Sequence, residues 1–194
     1  MARRIEIVTY DEGWPGEFRA IGGAIREAMG ALALRVDHIG STSVPGLAAK
    51  DVIDIQVTVR ELDAPAIAAA LAPLGYTPHA TIDRDHVPPG AEGQPADQWR
   101  KLNFRPPAGQ RRTHLHVRRA GNANQRYALL FRDYLRASPA AAEGYRRVKE
   151  ALARLHPDDI EAYLDVKDPV CDLIMDAAER WAAATGYAPG PPDL

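Results

Sequence analysis

The alternation of side chains in residues 52–59 is the feature that most limits how this chain can fold. Apolar and polar residues take turns there, with Ile53, Ile55, Val57 and Val59 set against Asp54, Gln56 and Thr58. Successive side chains of a β-strand point to opposite faces, so this period of two predicts a strand with one buried face. The chain therefore requires a sheet whose apolar face is covered by other elements.

Two later segments predict strands of the same kind. Polar side chains share one face in each of them: Lys101, Asn103 and Arg105 in 98–105, and His114 and His116 in 113–118. If these strands are neighbours in one antiparallel sheet, their polar faces converge into a cleft that also holds Asp54 and Gln56. A solvated sheet face would alternate in the same way, but paired histidines opposite an aspartate favour a functional site.

Helices are predicted around this sheet. The remaining segments are strands at 5–10 and 33–39 and helices from Trp14 to Met29, at 64–73 and at 123–137. Pro139 and Pro157 open two more helices, and Pro169 restarts a last one at 170–184. The order predicts an α+β fold in a single domain, 1–186, divided into a core at 1–120 and a helical C-terminal cover at 121–186, with a disordered tail at 187–194.

The charge balance restricts the partners that this chain can bind. With 24 Lys and Arg against 26 Asp and Glu, the net charge of −2 argues against an extended nucleic-acid surface or an anionic membrane as partner. Residues 98–119 nevertheless hold seven basic residues and no acidic one, which suits a small phosphorylated ligand or nucleotide. The lone Cys171 excludes an internal disulfide, and no apolar run has the length of a signal peptide or membrane span. We therefore expect a cytoplasmic protein.

A Gly-Ser-Thr-Ser turn after the strand at 33–39 is a candidate phosphate cradle. Gly40, Ser41, Thr42 and Ser43 offer backbone N–H groups and three hydroxyls near Lys50. The spacing of a P-loop is absent. Taken alone, these residues are explained better by a capped turn without ligand than by a phosphate cradle.

The residues 38–57, HIGSTSVPGLAAKDVIDIQV, resemble the signature of the GrpB family, also called UPF0157, in the nucleotidyltransferase superfamily. The similarity continues through VTYDEGW near the start, the strand at 113–118, residues 130–136, Tyr145 with Lys149, and Tyr163 with Lys167. This resemblance implies a nucleotidyltransferase-like fold, with a mixed or antiparallel sheet, helices on one face and the C-terminal helical cover.

The resemblance also implies a metal site. The superfamily pattern places Asp-x-(Asp/Glu) on a strand after the Gly-Ser turn, and here Gly40-Ser41 is followed by 42–53 and then Asp54-Ile55-Gln56. Active members hold two divalent ions with two strand carboxylates and a third from a later strand, so Gln56 removes one charge. The implied catalytic residues are Asp54, Gln56 and His116, and the implied metal ligands are Asp54, Gln56, His114 and His116. Mg²⁺ or Mn²⁺ is expected, with Zn²⁺ favoured if the histidines ligate.

A larger set of residues is expected to bind phosphate or nucleotide: Gly40, Ser41, Thr42, Ser43, Lys50, Lys101, Arg105, Arg132, Tyr145 and Lys149. For Arg132 the alternative is an ion pair with Asp133 that fastens the helices to the sheet. His38 is expected to hydrogen-bond the Gly-Ser turn, and Cys171 to be a core residue.

Three functions follow from these features. The first is metal-dependent nucleotidyl transfer from a nucleoside triphosphate to an unknown acceptor. The second is a non-catalytic nucleotide-binding or folding-accessory module, similar to the extension of some dephospho-CoA kinases. The third is zinc-dependent hydrolysis of a phosphate ester through Asp54, His114 and His116, since a His-x-His pair with a carboxylate suits an open zinc site.

Overall fold

The computed structural model describes residues 4–194, so residues 1–3 of the predicted core lie outside the described part. The strands are β1 (Ala33–Ile39), β2 (Ile53–Val59), β3 (Thr77–Pro78), β4 (Leu102–Arg105) and β5 (Thr113–Arg119). The helices are α1 (Trp14–Met29), α2 (Ala64–Leu71), α3 (Ala123–Ala137), α4 (Pro139–Leu155) and α5 (Ile160–Thr185). The strands form one five-stranded sheet in the order β1-β2-β5-β4-β3. The predicted α+β fold with a mixed sheet is confirmed.

The apolar face of β2 forms the centre of the core. Ile53, Ile55 and Val57 are fully buried and pack in one cluster with Trp14 and Phe18 of α1. The repeat of Trp14, Phe18, Ile25 and Met29 places these four buried side chains on one stripe of α1. The apolar stripe of α1 therefore packs directly against the apolar face of β2.

The direction of the central strand pair differs from the prediction. β1 pairs with β2, and β4 with β5, in antiparallel fashion, but β2 and β5 are parallel. A parallel pair requires a long crossover, and the chain between β2 and β5 is long enough because it contains α2, β3 and β4. The parallel register sets Asp54 beside His114 and Gln56 beside His116.

The C-terminal helices cover part of the polar face of the sheet. Gln56 Nε2 donates to the backbone oxygen of Gln125 in α3 at 3.2 Å, and Arg132 Nη1 donates to the backbone oxygen of His38 at 3.0 Å. Within residues 4–194, no helix combines the length and the apolarity needed to cross a bilayer. The C-terminal helices leave a cavity over the N-terminal end of β2, where the polar face of the sheet is open.

Pro169 does not restart a helix, because α5 continues through it without interruption. Tyr163 before the proline and Met175 and Ala178 after it are all buried, so packing on both sides holds the helix together despite the missing N–H. Two predicted strands are also shorter than expected. Residues 96–99 form a 3₁₀ turn before β4, and 5–10 contribute a single bridge from Val8 to Ala49.

The end of the segment 187–194, which was predicted to be disordered, pairs with β1. The backbone of Leu194 exchanges hydrogen bonds with Val36 at 3.1 and 3.3 Å, and the leucine side chain packs against the main core. Asp193 accepts hydrogen bonds from the backbone N–H of His38 and from Arg132, both at 2.9 Å. The composition of this tail suggests disorder, but its last two residues have specific partners on the outer edge of the sheet.

Candidate functional site

A cavity of about 420 Å³ opens between the end of β2, the Gly-Ser turn and the C-terminal helices. Its sheet side carries Asp54, His114, His116 and Arg118, and the turn contributes Gly40, Ser41 and Thr42. The helical side carries Tyr127, Phe131, Tyr145, Lys149, Tyr163 and Lys167, with Lys50 between the two sides. The cavity therefore joins a charged wall to an aromatic one.

Asp54, His114 and His116 form a cluster at the charged wall. His114 Nδ1 donates to Asp54 Oδ1 at 2.9 Å, and His116 Nε2 lies 4.0 Å from the same oxygen. One ligand atom from each residue lies within 4.8 Å of the others. Two imidazoles and one carboxylate are a donor set used by open zinc sites, so these side chains fit a divalent ion after small rotations.

Gly40 allows the turn to approach this cluster. Its φ of 70° lies in the region that side chains rarely adopt, and a Cβ there would lie 2.8 Å from Asp54 Cγ and 2.9 Å from Asp54 Cβ. Only glycine satisfies both the backbone angle and this contact. Ser41 follows directly, so the same turn brings its hydroxyl into the cavity.

The environment of His116 keeps its imidazole neutral. Asn103 Nδ2 and Lys101 Nζ donate to His116 Nδ1 at 3.3 and 3.4 Å. Burial, reinforced by the charges of Arg118 and Lys101, holds the pKa of His116 well below its usual value. A neutral imidazole is the form that ligates metals.

Asp85, from the long loop before β4, holds the cations behind this histidine. It accepts hydrogen bonds from Lys101 Nζ at 2.6 Å, from Arg118 Nε and Nη2 at 2.8 and 2.9 Å, and from Asn124 Nδ2 at 3.0 Å. Burial by itself would raise the pKa of the Asp85 carboxyl, but the charges of Arg118 and Lys101 outweigh it and hold that pKa far below normal. Asp85 is therefore a permanent counter-ion.

Gln56 is not part of the histidine cluster. Its side chain is fully buried, and its Oε1 accepts a hydrogen bond from Arg118 Nη1 at 2.7 Å. The amide nitrogen donates to Gln125 in α3. The amide oxygen that was expected to ligate an ion is thus bound to a guanidinium group, which leaves Asp54, His114 and His116 as the possible ligands.

Three lysines face the cavity in different states. Lys50 Nζ lies 3.9 Å above the ring of Tyr163, and burial lowers the pKa of Lys50 to about 8. Lys149 Nζ donates to Ser41 Oγ at 2.9 Å and to the backbone oxygen of Ala48 at 2.6 Å. Burial lowers the pKa of Lys149 to about 7. Lys167 is paired with Asp168 at 2.6 Å, and its pKa is raised because Cys171 and Asp168 outweigh burial.

The aromatic wall is a continuous series of ring contacts. Tyr127 stacks on Phe131 with 6.1 Å between ring centres, and Trp99 and Tyr145 meet the two ends of this pair edge-on. Cys171, expected in the core, lines the cavity beside this wall, with its Sγ 3.6 Å from the Tyr145 hydroxyl. The wall offers a flat apolar surface opposite the charged side.

Several predicted binding residues lie outside the cavity. Arg105 points to His79 at 2.9 Å on the far strand pair, and Lys101 lies behind His116. Ser43 Oγ donates to the Gly40 backbone oxygen at 2.6 Å. Thr42 reaches the cavity, but its hydroxyl donates to the backbone oxygen of Val52 at 3.2 Å.

Arg132 serves the fold, as its alternative prediction states. It is bound to Asp133 at 2.7 Å, to the His38 backbone and to Asp193, and these contacts join α3 to β1. His38 hydrogen-bonds Thr42 Oγ1 at 3.0 Å and stacks on Phe18, which confirms its predicted contact with the turn.

Sequence reasoning missed Asp85 and counted Arg118 only among the seven basic residues of 98–119. Arg118 has the same parity as His114 and His116, so the alternation of β5 already placed it on the polar face. Asp85 lies in a loop without periodicity, and no sequence signal points to its four hydrogen bonds. Lys167 was noted only as part of the family resemblance, and its convergence with Tyr127 in the cavity depends on how the helices pack.

Comparisons with known proteins agree with this architecture. The GrpB protein family model matches residues 4–177. A dephospho-CoA kinase of Mycolicibacterium paratuberculosis is 37% identical over 198 residues, covering 95% of this chain and 48% of that protein. A UPF0157 protein of Bacillus subtilis is 33% identical over 189 residues, covering 97% of this chain and 51% of that protein. The chain thus spans about half the length of these curated relatives.

A solved structure extends the comparison to three dimensions. The crystal structure of the conserved protein GrpB from Enterococcus faecalis matches with a TM-score of 0.72 and 30% sequence identity. The match covers 91% of this chain and 99% of that one. The family model, the sequence relatives and this shared fold lead to one conclusion: the chain belongs to the GrpB family.

Proposed function

We propose that this chain binds a nucleoside triphosphate together with one divalent ion and transfers the nucleotidyl group to an acceptor. The observation that carries the proposal is the cluster of Asp54, His114 and His116 in a cavity that also holds Lys50 and Lys167. A metal site beside lysine side chains is the arrangement that phosphoryl chemistry requires, because both neutralise the charge of the phosphate groups.

The metal would be held by Asp54 and the two histidines. When bound, a divalent ion polarises a phosphoryl oxygen as a Lewis acid. Two imidazole ligands favour Mn²⁺ or Zn²⁺ over Mg²⁺, which prefers oxygen ligands. Burial keeps the His116 ring neutral. Because Nδ1 accepts from Asn103 and Lys101, ligation through Nε2, which faces Asp54, would require the Nε2 proton to leave.

Other residues of the cavity have roles set by their positions. The Lys50 and Lys167 ammonium groups lie where they can neutralise phosphate oxygens, and the backbone of the Gly40-Ser41 turn adds N–H donors. The stacked rings of Tyr127 and Phe131 offer a surface for the planar part of the ligand. A nucleotide combines charged phosphate groups, which match the charged wall, with a planar base, which matches the aromatic wall.

A second candidate is zinc-dependent hydrolysis of a phosphate ester in the same cavity. The observation that favours it is the bond from Arg118 to Gln56, which leaves one carboxylate and two imidazoles as donors. That set matches open zinc sites with three protein ligands, where a bound water completes the coordination. A non-catalytic accessory role is the remaining alternative, supported by the match to half of a dephospho-CoA kinase.

Thermal unfolding with metal and nucleotide tests the first step of the proposal. The protein is heated with Mn²⁺, Mg²⁺ or Zn²⁺, alone and with each nucleoside triphosphate. Ligand at 100 times its Kd stabilises by about 2.7 kcal/mol, which corresponds to a rise in Tm of roughly 5–10 °C for a chain of this size. Asp54→Asn should abolish the rise, whereas Asp165→Asn, an exposed carboxylate on α5, should preserve it.

Product analysis separates the three functions. Pyrophosphate release that depends on an added acceptor supports nucleotidyl transfer, and inorganic phosphate release from a phosphate monoester with Zn²⁺ supports hydrolysis. Binding without either product supports the accessory role. Absence of any thermal shift with every metal and nucleotide pair would refute nucleotide binding at this site.

A further inference from the structure

Ser41 and Lys149 form a pair that the proposed function does not use. Lys149 Nζ lies 2.9 Å from Ser41 Oγ, and its only other hydrogen bond within residues 4–194 goes to the backbone oxygen of Ala48. The lysine is 3% exposed, whereas Ser41 is half-buried and lines the cavity. The pair therefore consists of an accessible hydroxyl and a buried amine behind it.

Within residues 4–194, Lys149 has no carboxylate partner, in contrast to Lys101 and Lys167. Lys101 is paired with Asp85, and Lys167 with Asp168, both at 2.6 Å. Among the described residues, no carboxylate lies within ion-pair distance of Lys149. A buried ammonium group without a counter-ion readily loses its proton, and burial lowers the pKa of Lys149 to about 7.

The neutral form of Lys149 can activate Ser41. As an ammonium group, Lys149 donates to Ser41 Oγ, but as an amine it presents a lone pair that accepts the hydroxyl proton. A serine hydroxyl is a weak nucleophile until a base adjacent to it removes this proton. The preceding residue, Gly40, touches Asp54, so the activated oxygen lies at the edge of the charged wall.

We propose that Ser41 is a nucleophile activated by Lys149, and that it attacks phosphorus to form a covalent phosphoryl-serine intermediate. The choice of a phosphoric anhydride as substrate class rests on the proposed function, but the nucleophilic pair does not. With a nucleoside triphosphate, the Ser41 Oγ–Pα bond forms while the bond from Pα to the bridging oxygen of pyrophosphate breaks. The serine proton moves to Lys149 Nζ, and pyrophosphate departs with the bonding electrons.

The second half of the reaction restores the enzyme. The hydroxyl of an acceptor, or water, attacks the same phosphorus, and the Pα–Oγ bond breaks. Ser41 recovers a proton from Lys149, and the acceptor proton is released to solvent. Transfer then takes place in two displacements, and the adduct on Ser41 is the species that distinguishes this course from direct attack by the acceptor.

The competing role for Lys149 is that of a fixed cation that binds phosphate. Lys149→Arg separates the two roles, because arginine keeps the charge and donors but cannot lose its proton. Ser43→Ala is the matched control for Ser41→Ala, since Ser43 lies in the same turn and its hydroxyl points to the Gly40 backbone instead of the cavity.

The first experiment uses a fluorophosphonate that carries no nucleotide, so it does not depend on the proposed function. Attack by Ser41 displaces fluoride, and intact-mass and peptide analysis locate the adduct. We expect labelling at Ser41 in the wild type and in Ser43→Ala, and none in Ser41→Ala. Lys149→Arg and Lys149→Met should slow labelling by 10²-fold or more, the size of general-base effects. Circular dichroism melting checks that each variant is folded.

Labelling should also increase with pH through the titration of Lys149. The charged and titratable groups around Lys149 are Tyr145 and Glu150 on α4, Lys167 and Cys171 on α5, and Asp54 on β2. In Lys149→Arg, the pH dependence near neutrality should disappear. Tyr145 also has a side-chain hydrogen bond to Ser41, but burial holds the pKa of Tyr145 well above its usual value, so it does not titrate in this range.

The second experiment replaces the probe with a nucleoside triphosphate and Mn²⁺. We expect one nucleoside monophosphate unit on Ser41 and none in Ser41→Ala. A thermal shift without an adduct would overturn the covalent intermediate while leaving the proposed function intact. Fluorophosphonate labelling of Ser41 without any nucleotide-induced thermal shift would overturn the proposed function while leaving the nucleophilic Ser41–Lys149 pair intact. An unlabelled wild type, or equal labelling rates in Lys149→Arg and wild type, would overturn the Ser41–Lys149 pair itself.

Discussion

The substitution Gly40→Ala tests how the turn and the candidate metal cluster depend on each other. Two costs are expected at Gly40. A φ of 70° is strained for any residue with a side chain, and the new methyl group would overlap the Asp54 carboxylate. Gly46 lies in the same loop at a φ of 78°, but a Cβ there has no heavy atom within 4 Å. Gly46→Ala therefore carries the first cost without the second.

The structure gives the size of each cost. Backbone strain at a positive φ is worth about 1–3 kcal/mol per residue, so Gly46→Ala should lower stability by that amount. Overpacking in a tight contact adds about 1–3 kcal/mol, so Gly40→Ala should lose about 2–6 kcal/mol in total. To reach ordinary contact, Asp54 must retreat by roughly half an ångström or more, which moves its oxygens relative to both histidines.

The assay is urea unfolding of both variants followed by titration with Zn²⁺ and Mn²⁺. Gly40→Ala should be the less stable variant, and its metal affinity should fall about 10–100-fold, as when the support of a ligand is lost. Gly46→Ala should bind metal like the wild type. Equal stability losses in the two variants, with metal binding unchanged in both, would refute the reasoning about the Gly40–Asp54 contact.

Three further predictions concern groups around the site. Asp85→Ala leaves Lys101 and Arg118 buried without their carboxylate and should cost about 3–5 kcal/mol in urea unfolding, and a loss below 1 kcal/mol would contradict the counter-ion role. Arg132→Met should lower Tm but preserve any shift caused by metal and nucleotide, because Arg132 lies outside the cavity. Burial lowers the pKa of His38 to about 4, so the unfolded chain takes up a proton before the native one does. The contribution of His38 to the free energy of unfolding is therefore fully present above pH 6.5 and should decrease by about 3 kcal/mol as the pH falls to 4. The decrease in stability should be smaller in His38→Gln.

Much of the fold could be predicted because its elements have strong local periods. The alternation in β2 and the helical repeat in α1 place the buried side chains correctly, and α3 has the predicted bounds, Ala123–Ala137. The errors occur where a local rule competes with packing. A proline inside a helical pattern predicts a helix break, but buried residues on both sides of Pro169 keep α5 continuous.

The candidate site was also predicted only in part. Parity placed Asp54, His114 and His116 on the polar face, and the parallel register of β2 and β5 brings them together. The same parity put Gln56 beside them, yet Gln56 pairs with Arg118 because that guanidinium group reaches across from β5. Which polar side chain remains free depends on its neighbours as well as on the face it occupies.

The sequence alone determined which face each strand residue takes, the presence of a Gly-Ser turn near an aspartate, and the family to which the chain belongs. Only the tertiary structure decided that Asp85 neutralises Lys101 and Arg118, that Arg132 serves the fold, and that Lys149 lies behind Ser41 with no carboxylate of residues 4–194 bound to it. The physical reason is the distance along the chain over which each property is determined. Side-chain periodicity arises from a few consecutive residues, whereas hydrogen bonds and charge pairs depend on strand direction, loop path and helix packing across the whole chain.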